Sequence, residues 1–172
     1  MKKVLMLAVA LMVAVMSFAD MQLKNVIIVP KPSDLEVKVW LNKPEGSVYQ
    51  VNESLNIFFK ANKSCYILIY DIRTDGKITL LFPNKYDSNN YIAPNVTYKL
   101  PISNLYSFKV SPPEGKEYIQ IIASTTFIPI IQQLKDLGTK QSFPLLSENA
   151  ESYVQQQILP YLTGEWASDI TY

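Results

Sequence analysis

The sequence predicts a mainly β protein, an antiparallel β-sandwich with a two-helix insertion before the last strand. About seven short apolar runs follow one another, and 11 prolines and 5 glycines lie scattered between them. Short strands separated by turn residues in this way are typical of sandwiches. After Ser124 the apolar residues recur at helical spacing, which predicts the insertion.

The length of 172 residues suits one domain with a substantial core. We place this domain at residues 35–172, with the helical insertion at about 127–162. A leader at 1–19 and an N-terminal segment at 20–34 are expected to precede it.

The most strongly specified element is a β-hairpin over Cys65 to Asn84. In its first arm, Cys65 to Ile72, every residue except Asp71 is apolar or aromatic. This run is short and rich in Ile and Tyr, so it predicts a strand buried on both faces. Asp75-Gly76 supplies the turn, and the second arm returns antiparallel until Pro83 ends it.

The other strands are predicted from alternation and from the turns that bound them. Leu35, Val37, Val39 and Leu41 share one face, which indicates a half-buried strand. Further strands are predicted at Ser54 to Lys60, Val96 to Leu100, Leu105 to Val110, Glu117 to Ser124 and Trp166 to Tyr172.

Two helices are predicted between the last two strands. The first carries apolar residues at helical spacing at Ile130, Ile131, Leu134 and Leu137. Gly138 is expected to cap its C-terminus. The hydroxyl of Ser147 is expected to cap the second helix, which buries Ala150, Val154 and Ile158.

The N-terminus has the pattern of a cleavable secretory leader. Lys2 and Lys3 precede an apolar run from Val4 to Met16, and small residues surround the expected cleavage site after Ala19. The alternative is an uncleaved membrane anchor, but the apolar run is shorter than the roughly 20 residues of a membrane-spanning helix. We therefore expect a protein exported to the periplasm, cell envelope or extracellular space, with no membrane span after removal of the leader.

Composition excludes several classes of function. Sixteen basic and fifteen acidic residues give a net charge of +1, so no basic surplus favours nucleic acid. The chain has no histidine, which removes the commonest general base and metal ligand. The single cysteine, Cys65, cannot form an intramolecular disulfide, and its apolar strand indicates a structural thiol. We expect no cofactor, no metal site and no enzymatic activity.

Two weaker patterns are better explained by ordinary surface turns than by a functional site. Carboxylates suitable for a catalytic pair occur at Asp71, Asp87, Glu114 and Glu117, but single turn acids are the usual finding. The segment Asp87 to Asn90 carries oxygen ligands without the further acidic ligand of a dedicated calcium loop, which favours a solvated turn.

Several motifs in order resemble a known family. They are Tyr66-Ile67-Leu68-Ile69-Tyr70, Asp75-Gly76, Leu81-Phe82-Pro83-Asn84, Pro101, Pro113-Glu114-Gly115-Lys116-Glu117, Ile122-Ala123-Ser124-Thr125 and Trp166-Ala167. Together they resemble the bacterial domain-of-unknown-function family 4384 over about Leu35 to Tyr172. The resemblance implies an immunoglobulin-like β-sandwich in envelope or exported proteins. It implies no catalytic residue, because the family has no established activity.

The best candidate binding surface is the loop after the central hairpin. It gathers Asn84, Tyr86, Asp87, Asn90 and Tyr91 within eight residues. Aromatic faces beside amide and carboxylate groups suit a protein loop or a glycan. The competing interpretation makes Asn84 a turn-former and the tyrosines covers for the sheet edge. The same two interpretations apply to Tyr49, Tyr98 and Tyr106.

Three functions remain open from the sequence. The leading one is a non-enzymatic exported module that binds another envelope protein. The alternatives are a carbohydrate-binding module that uses exposed Tyr and Trp, and a hydrolase with an unrecognised site.

Overall fold

The computed structural model describes residues 26–29, 33–127 and 129–172. The predicted leader lies outside these residues, as does part of the predicted segment 20–34. Within the described residues the chain is mainly β, with two helices late in the chain, as predicted. None of the helices in this part of the chain is long and apolar enough to cross a membrane.

The strands pair antiparallel in two main sheets and one short ladder. The strands are β1 (Val37–Leu41), β2 (Ser54–Leu55), β3 (Ile57–Ala61), β4 (Cys65–Ile72), β5 (Ile78–Phe82), β6 (Tyr91–Ile92), β7 (Tyr98–Leu100), β8 (Phe108–Lys109), β9 (Tyr118–Ser124), β10 (Leu145–Ser147) and β11 (Trp166–Thr171). The first sheet has the order β1-β3-β7, and the second has the order β10-β5-β4-β9-β11, with β6 beside β4. The ladder joins β2 to β8.

The central strand β4 is covered on both faces, which confirms its prediction. Ile67 and Ile69 point into a core shared with the first sheet, where they contact the layer that contains Phe59. Leu68 and Tyr70 point into a second core beneath the helices. All four side chains are fully buried. The molecule therefore has three layers, and a continuous apolar run is what a middle strand requires.

The hairpin turn has the predicted geometry. Gly76 has a φ of +82°, which an L side chain rarely adopts. Its N–H donates to the carbonyl of Arg73 at 2.9 Å. The carboxylate of Asp75 accepts from the N–H of Lys77 at 3.3 Å. The short polar loop thus closes β4 onto β5.

The first predicted helix, α1 (Pro129–Lys140), extends beyond its predicted end. Gly138 is not a C-terminal cap, so that prediction is wrong. It lies inside the helix, buried, where an added Cβ would overlap the carbonyl oxygen of Pro83. Glycine is needed there because the helix packs closely against the end of β5.

The second predicted helix starts at Ala150, with its cap at Asn149 instead of Ser147, and its hydrogen-bonding pattern changes along its length. It consists of α2 (Ala150–Tyr153), a π-helical turn (Val154–Ile158) and a 3₁₀ turn (Leu159–Tyr161). The prediction that Ser147 caps it is wrong. Asn149 is the cap, because its Oδ1 accepts from the N–H of Ser152 at 2.8 Å, whereas Ser147 lies in β10.

A buried polar network ties the segment 26–29 to the second sheet. The side-chain amide of Gln120 donates to the carbonyl of Ile28 at 3.0 Å and accepts from the hydroxyl of Tyr70 at 3.0 Å. The hydroxyl of Ser168 donates to the same carbonyl at 3.0 Å. Val26 and Ile28 are buried in the core beneath the helices. These bonds satisfy the buried amide of Gln120, which would otherwise destabilise the core.

Candidate functional site

Asn84, the first residue of the predicted binding loop, builds a turn. Its side-chain amide donates to the carbonyl of Leu81 at 2.9 Å. Its Oδ1 accepts from the N–H groups of Tyr86 at 2.9 Å and Asp87 at 3.0 Å. The residue is fully buried. Its polar groups are therefore used within the protein, as the turn-forming interpretation expects.

Asp87 joins this loop to the segment before β8. Its Oδ2 accepts from the hydroxyl of Tyr106 at 2.5 Å and from the N–H of Ile102 at 3.2 Å. Burial, followed by the bond to Asp87, raises the pKa of Tyr106. Asp87 itself is buried. The structure thus brings Asn84 and Asp87 together around Tyr106, which also receives a weak bond from Asn84 at 3.3 Å.

Asn90 anchors the far end of the loop to β4. Its side-chain Nδ2 donates to the carbonyl of Ile67 at 3.1 Å, and its backbone carbonyl accepts from the N–H of Ile67 at 2.8 Å. The side chain is fully buried. Among the described residues, no three Asp, Glu or Cys side chains cluster in a way that would hold a metal ion.

The two tyrosines of the loop lie in separate aromatic groups. Tyr86 is half-buried and stacks on Tyr106, with ring centroids 5.2 Å apart. Tyr91 packs against Tyr66 at 4.8 Å and is 49% exposed. Of the five predicted binding residues, only these two present much surface to a ligand. Binding by this loop remains a prediction, and Asn84, Asp87 and Asn90 form hydrogen bonds within the protein.

A larger concave site lies at one end of the sandwich, and we call it the Asp71 cleft. It has a volume of about 930 Å³. Residues 46–51 and 107–117 form two of its walls, and Leu41, Leu55, Asp71, Arg73, Leu81, Ile119, Phe143 and Tyr172 complete the lining. Sequence reasoning did not identify this site, because its walls come from segments about 60 residues apart in the chain.

Local interactions hold the wall formed by residues 46–51. Lys43 forms an ion pair with Glu53 at 2.6 Å and donates to the carbonyl of Val48 at 3.0 Å. The hydroxyl of Tyr49 accepts from the N–H of Lys43 at 3.1 Å. Hydrogen bonds and an ion pair therefore stabilise this loop, and binding residues are often found on loops that a sheet positions.

Two carboxylates line the cleft, where burial disfavours their charge and the positive charge of Arg73 acts on both in the opposite sense. Burial and then the negative charge of Glu117 raise the pKa of Asp71 to about 8. Burial also raises the pKa of Glu117. One oxygen of each, Oδ1 of Asp71 and Oε1 of Glu117, is buried without a hydrogen-bond partner in the described part of the chain. Such an atom destabilises a fold by about 1–3 kcal/mol.

The sequence did contain a signal for this pair. Asp71 is the one charged residue of β4, and Glu117 directly precedes β9. Both were candidates for a catalytic pair, but their presence in one cleft depends on the pairing of β4 with β9, in which Asp71 lies opposite Ile119. Perturbed carboxylates in a concave site mark a candidate functional site.

Comparison with known proteins supports the predicted family resemblance. Residues 48–126 match the family described as domain of unknown function (DUF4384), which confirms the resemblance over that range. This range contains Asp71, Glu117 and the predicted binding loop. The comparisons with curated proteins and with solved structures found no match.

Proposed function

We propose that this chain is an exported, non-enzymatic module of the cell envelope, and that it binds another envelope protein through the Asp71 cleft. The cleft itself carries the proposal. Its volume of about 930 Å³ lies at the upper end of the range for ligand sites, and its lining combines apolar side chains with polar and charged ones.

The rim of the cleft favours a protein over a small ligand. Val48 is 75% exposed and Val51 is 47% exposed, and both line the cleft. Exposed apolar side chains beside a concave site are typical of protein contacts. The leader pattern supports a location in the envelope, and the implied setting of the family agrees with it.

Capture of partners from solubilised envelope tests this function. We expect a Val48→Ser, Val51→Ser double variant to lose most of the captured protein, because it removes apolar contact area without touching the core. Val96→Ser is the matched control, since Val96 is 45% exposed and lies outside the cleft. A Tyr86→Ala, Tyr91→Ala double variant tests the predicted loop in the same assay. Loss of capture in this variant, with normal capture by the valine variant, would contradict the proposal.

A hydrolase is the second candidate, and the carboxylate pair is the observation that favours it. Glycoside hydrolysis uses two carboxyl groups, one of them a general acid with a raised pKa, and burial raises the pKa of Asp71 in the cleft that Glu117 also lines. Incubation with cell-wall glycan, followed by measurement of new reducing ends, separates the two functions. We expect no release above that of an Asp71→Asn variant. Release that depends on both Asp71 and Glu117 would establish the hydrolase instead.

A further inference from the structure

The outer face of the first sheet carries aromatic and basic side chains that point away from the core. Trp40 of β1 lies opposite Phe58 of β3, which lies opposite Lys99 of β7. In the next row of the sheet, Lys38 lies opposite Lys60. The residues that alternate with them along the strands pack into the sandwich core, because successive side chains point to opposite faces. We call these five residues the lysine-aromatic face.

The two aromatic rings form an apolar patch on this face. The ring planes of Trp40 and Phe58 lie within 12° of parallel, and the ring centroids are 5.9 Å apart. Trp40 is 39% exposed, and neither residue belongs to the two buried core clusters. An exposed tryptophan beside a second ring offers a ligand a large contact area at a small cost in side-chain entropy.

The three lysines of the face are exposed and have no counter-charge. No ion pair joins Lys38, Lys60 or Lys99 to an acid in the part of the chain that the structure describes. Glu36, exposed just before β1, is one acid against three bases. Like charges directly opposite each other in a sheet are destabilising. Lysine often protects an edge strand from pairing with other chains, but Lys60 lies in the central strand β3. The face is therefore complementary to an anion.

A concave site of about 420 Å³ adjoins the face at Lys38 and Trp40. Polar side chains of both signs contribute to its lining, namely Asn42, Lys43, Glu45 and Asp169. Donors and acceptors beside an aromatic ring suit the hydroxyl groups of sugars, which both donate and accept hydrogen bonds. The carboxylates of Glu45 and Asp169 need donors, which the phosphate backbone of a nucleic acid does not offer. A glycan thus fits this surface better than a nucleic acid does.

We propose that the lysine-aromatic face binds an acidic polysaccharide, whose sugar rings pack on Trp40 and Phe58 while its carboxylates pair with the lysines. The C–H face of a sugar ring is apolar and packs on an aromatic ring, and an ammonium group forms charge-assisted hydrogen bonds with a carboxylate. None of the five residues lines the Asp71 cleft. The glycan site is therefore a second binding surface and does not depend on the proposed function.

Isothermal titration calorimetry of the purified protein with polygalacturonate oligomers tests the inference. The methyl ester of the same oligomers is the control, because it keeps the sugar chain and removes the carboxylate charge. We expect saturable binding of the acid form, weakened by added salt, and at least tenfold weaker binding of the ester. Oligoglutamate of equal charge, which has no sugar ring, should also bind at least tenfold more weakly.

Two variants remove the two kinds of contact separately. Trp40→Ala should weaken binding of polygalacturonate at least tenfold, and Trp40→Phe should weaken it less. A Lys38→Gln, Lys60→Gln double variant should weaken it at least tenfold and reduce its dependence on salt. The matched control is a Lys109→Gln, Lys140→Gln double variant, since both lysines are exposed and lie in β8 and α1, away from this face. This control should bind as the wild type does, and thermal unfolding checks that each variant is folded.

Equal binding of polygalacturonate and its ester, or of polygalacturonate and oligoglutamate, would overturn the glycan site. Wild-type affinity in both the tryptophan and the lysine variants would do the same. A lysine variant that aggregates but keeps its affinity for the glycan would show that the lysines only prevent association between chains. Tighter binding of single-stranded oligothymidylate than of polygalacturonate would assign the face to nucleic acid and contradict the inference.

Discussion

Asp71 is the residue at which folding and candidate chemistry conflict most directly. A carboxyl group in a strand covered on both faces is costly to ionise, and neighbouring Glu117 adds to that cost. Hydrophobic residues elsewhere in β4 make the strand the centre of the molecule, whereas Asp71 contributes to the cleft. This cost at neutral pH makes Asp71 a candidate functional residue.

The first prediction at the residue scale concerns pH. The pKa of Asp71 is raised to about 8 in the folded protein, against about 3.9 unfolded, so folding favours the protonated form. The stabilisation that protonated Asp71 gives the folded state is greatest below about pH 4 and is lost as the pH rises towards 8. The slope from one proton is at most about 1.4 kcal/mol per pH unit. Glu117 acts in the same direction because its pKa is also raised.

Urea unfolding at pH 5, 6.5 and 8 measures this effect. The free energy of unfolding should fall over this range in the wild type and fall less in Asp71→Asn. Acids with lowered pKa values, such as Glu53 and Glu165, lose their stabilising effect at lower pH, outside this window. Identical slopes in the two proteins would show that Asp71 titrates normally.

The second residue-scale prediction concerns Cys65. The thiol is fully buried, and burial raises its pKa to about 11. We expect negligible reaction of folded protein with a water-soluble disulfide reagent at pH 7.5, and rapid reaction in urea. Cys65→Ala should destabilise the protein by about 1 kcal/mol through a small cavity. Fast labelling of the folded protein would contradict a structural role.

Side-chain burial explains which site residues the sequence could identify. The sequence indicates an exposed polar loop at Asn84, Asp87 and Asn90. In the structure all three side chains are buried and form hydrogen bonds to backbone groups. Sequence composition does not distinguish a buried turn-former from an exposed binding residue. Asp71 can be recognised in the sequence because it interrupts an apolar run. That Glu117 lines the same cleft follows only from the pairing of β4 with β9.

At the scale of the elements, β4 and β9 are the structural centre because two layers cover them. All seven residues of β9 are buried, with Ile121 and Ala123 towards the sandwich core and Ile122 towards the helices. The helical insertion is thus the third layer of the fold, and it covers the second face of the larger sheet.

The prediction at this scale concerns the contact of α1 with β5. Replacing Gly138 by Ala normally stabilises a helix by about 1 kcal/mol. Here the added Cβ would overlap the Pro83 carbonyl, so we expect net destabilisation of about 1–3 kcal/mol. Thermal unfolding of Gly138→Ala beside Lys140→Ala, an exposed position in the same helix, measures the difference. A Gly138→Ala variant as stable as the wild type would show that α1 shifts freely.

The sequence predicted the long strands and missed the short ones for a physical reason. Strands that bury alternate residues or nearly all residues have a hydrophobic pattern that can be recognised in the sequence. These strands are β1, β3, β4, β5 and β9. β6 and β10 are two and three residues long, too short for any period to show. Leu105, predicted to begin a strand, is 72% exposed and lies before the two-residue strand β8. Tertiary contacts, not local pattern, define these elements.

At the scale of the whole molecule, the three layers leave one end of the sandwich open at the Asp71 cleft. The short β2–β8 ladder joins the two loop walls there, with Ser54 opposite Lys109. A rigid sheet system that carries loops with exposed apolar residues suits a binding module.

Export is the prediction that concerns the entire chain. Signal peptidase is expected to cut after Ala19, so N-terminal sequencing of the native protein should give Asp20 as the first residue. The protein should be recovered outside the cytoplasm without detergent. Native protein that retains Met1 in a membrane pellet would contradict the leader.

Site-specific photo-crosslinking in intact cells tests the central claim, that the Asp71 cleft is the binding surface. A photoreactive residue is placed at Val51 on the cleft rim, at Tyr91 in the predicted loop, or at Val96 as the exposed control. These positions are 47%, 49% and 45% exposed, so their access to solvent is matched. We expect one defined envelope adduct from position 51 and none from the other two. An adduct from position 91 or 96 with none from position 51 would contradict the account.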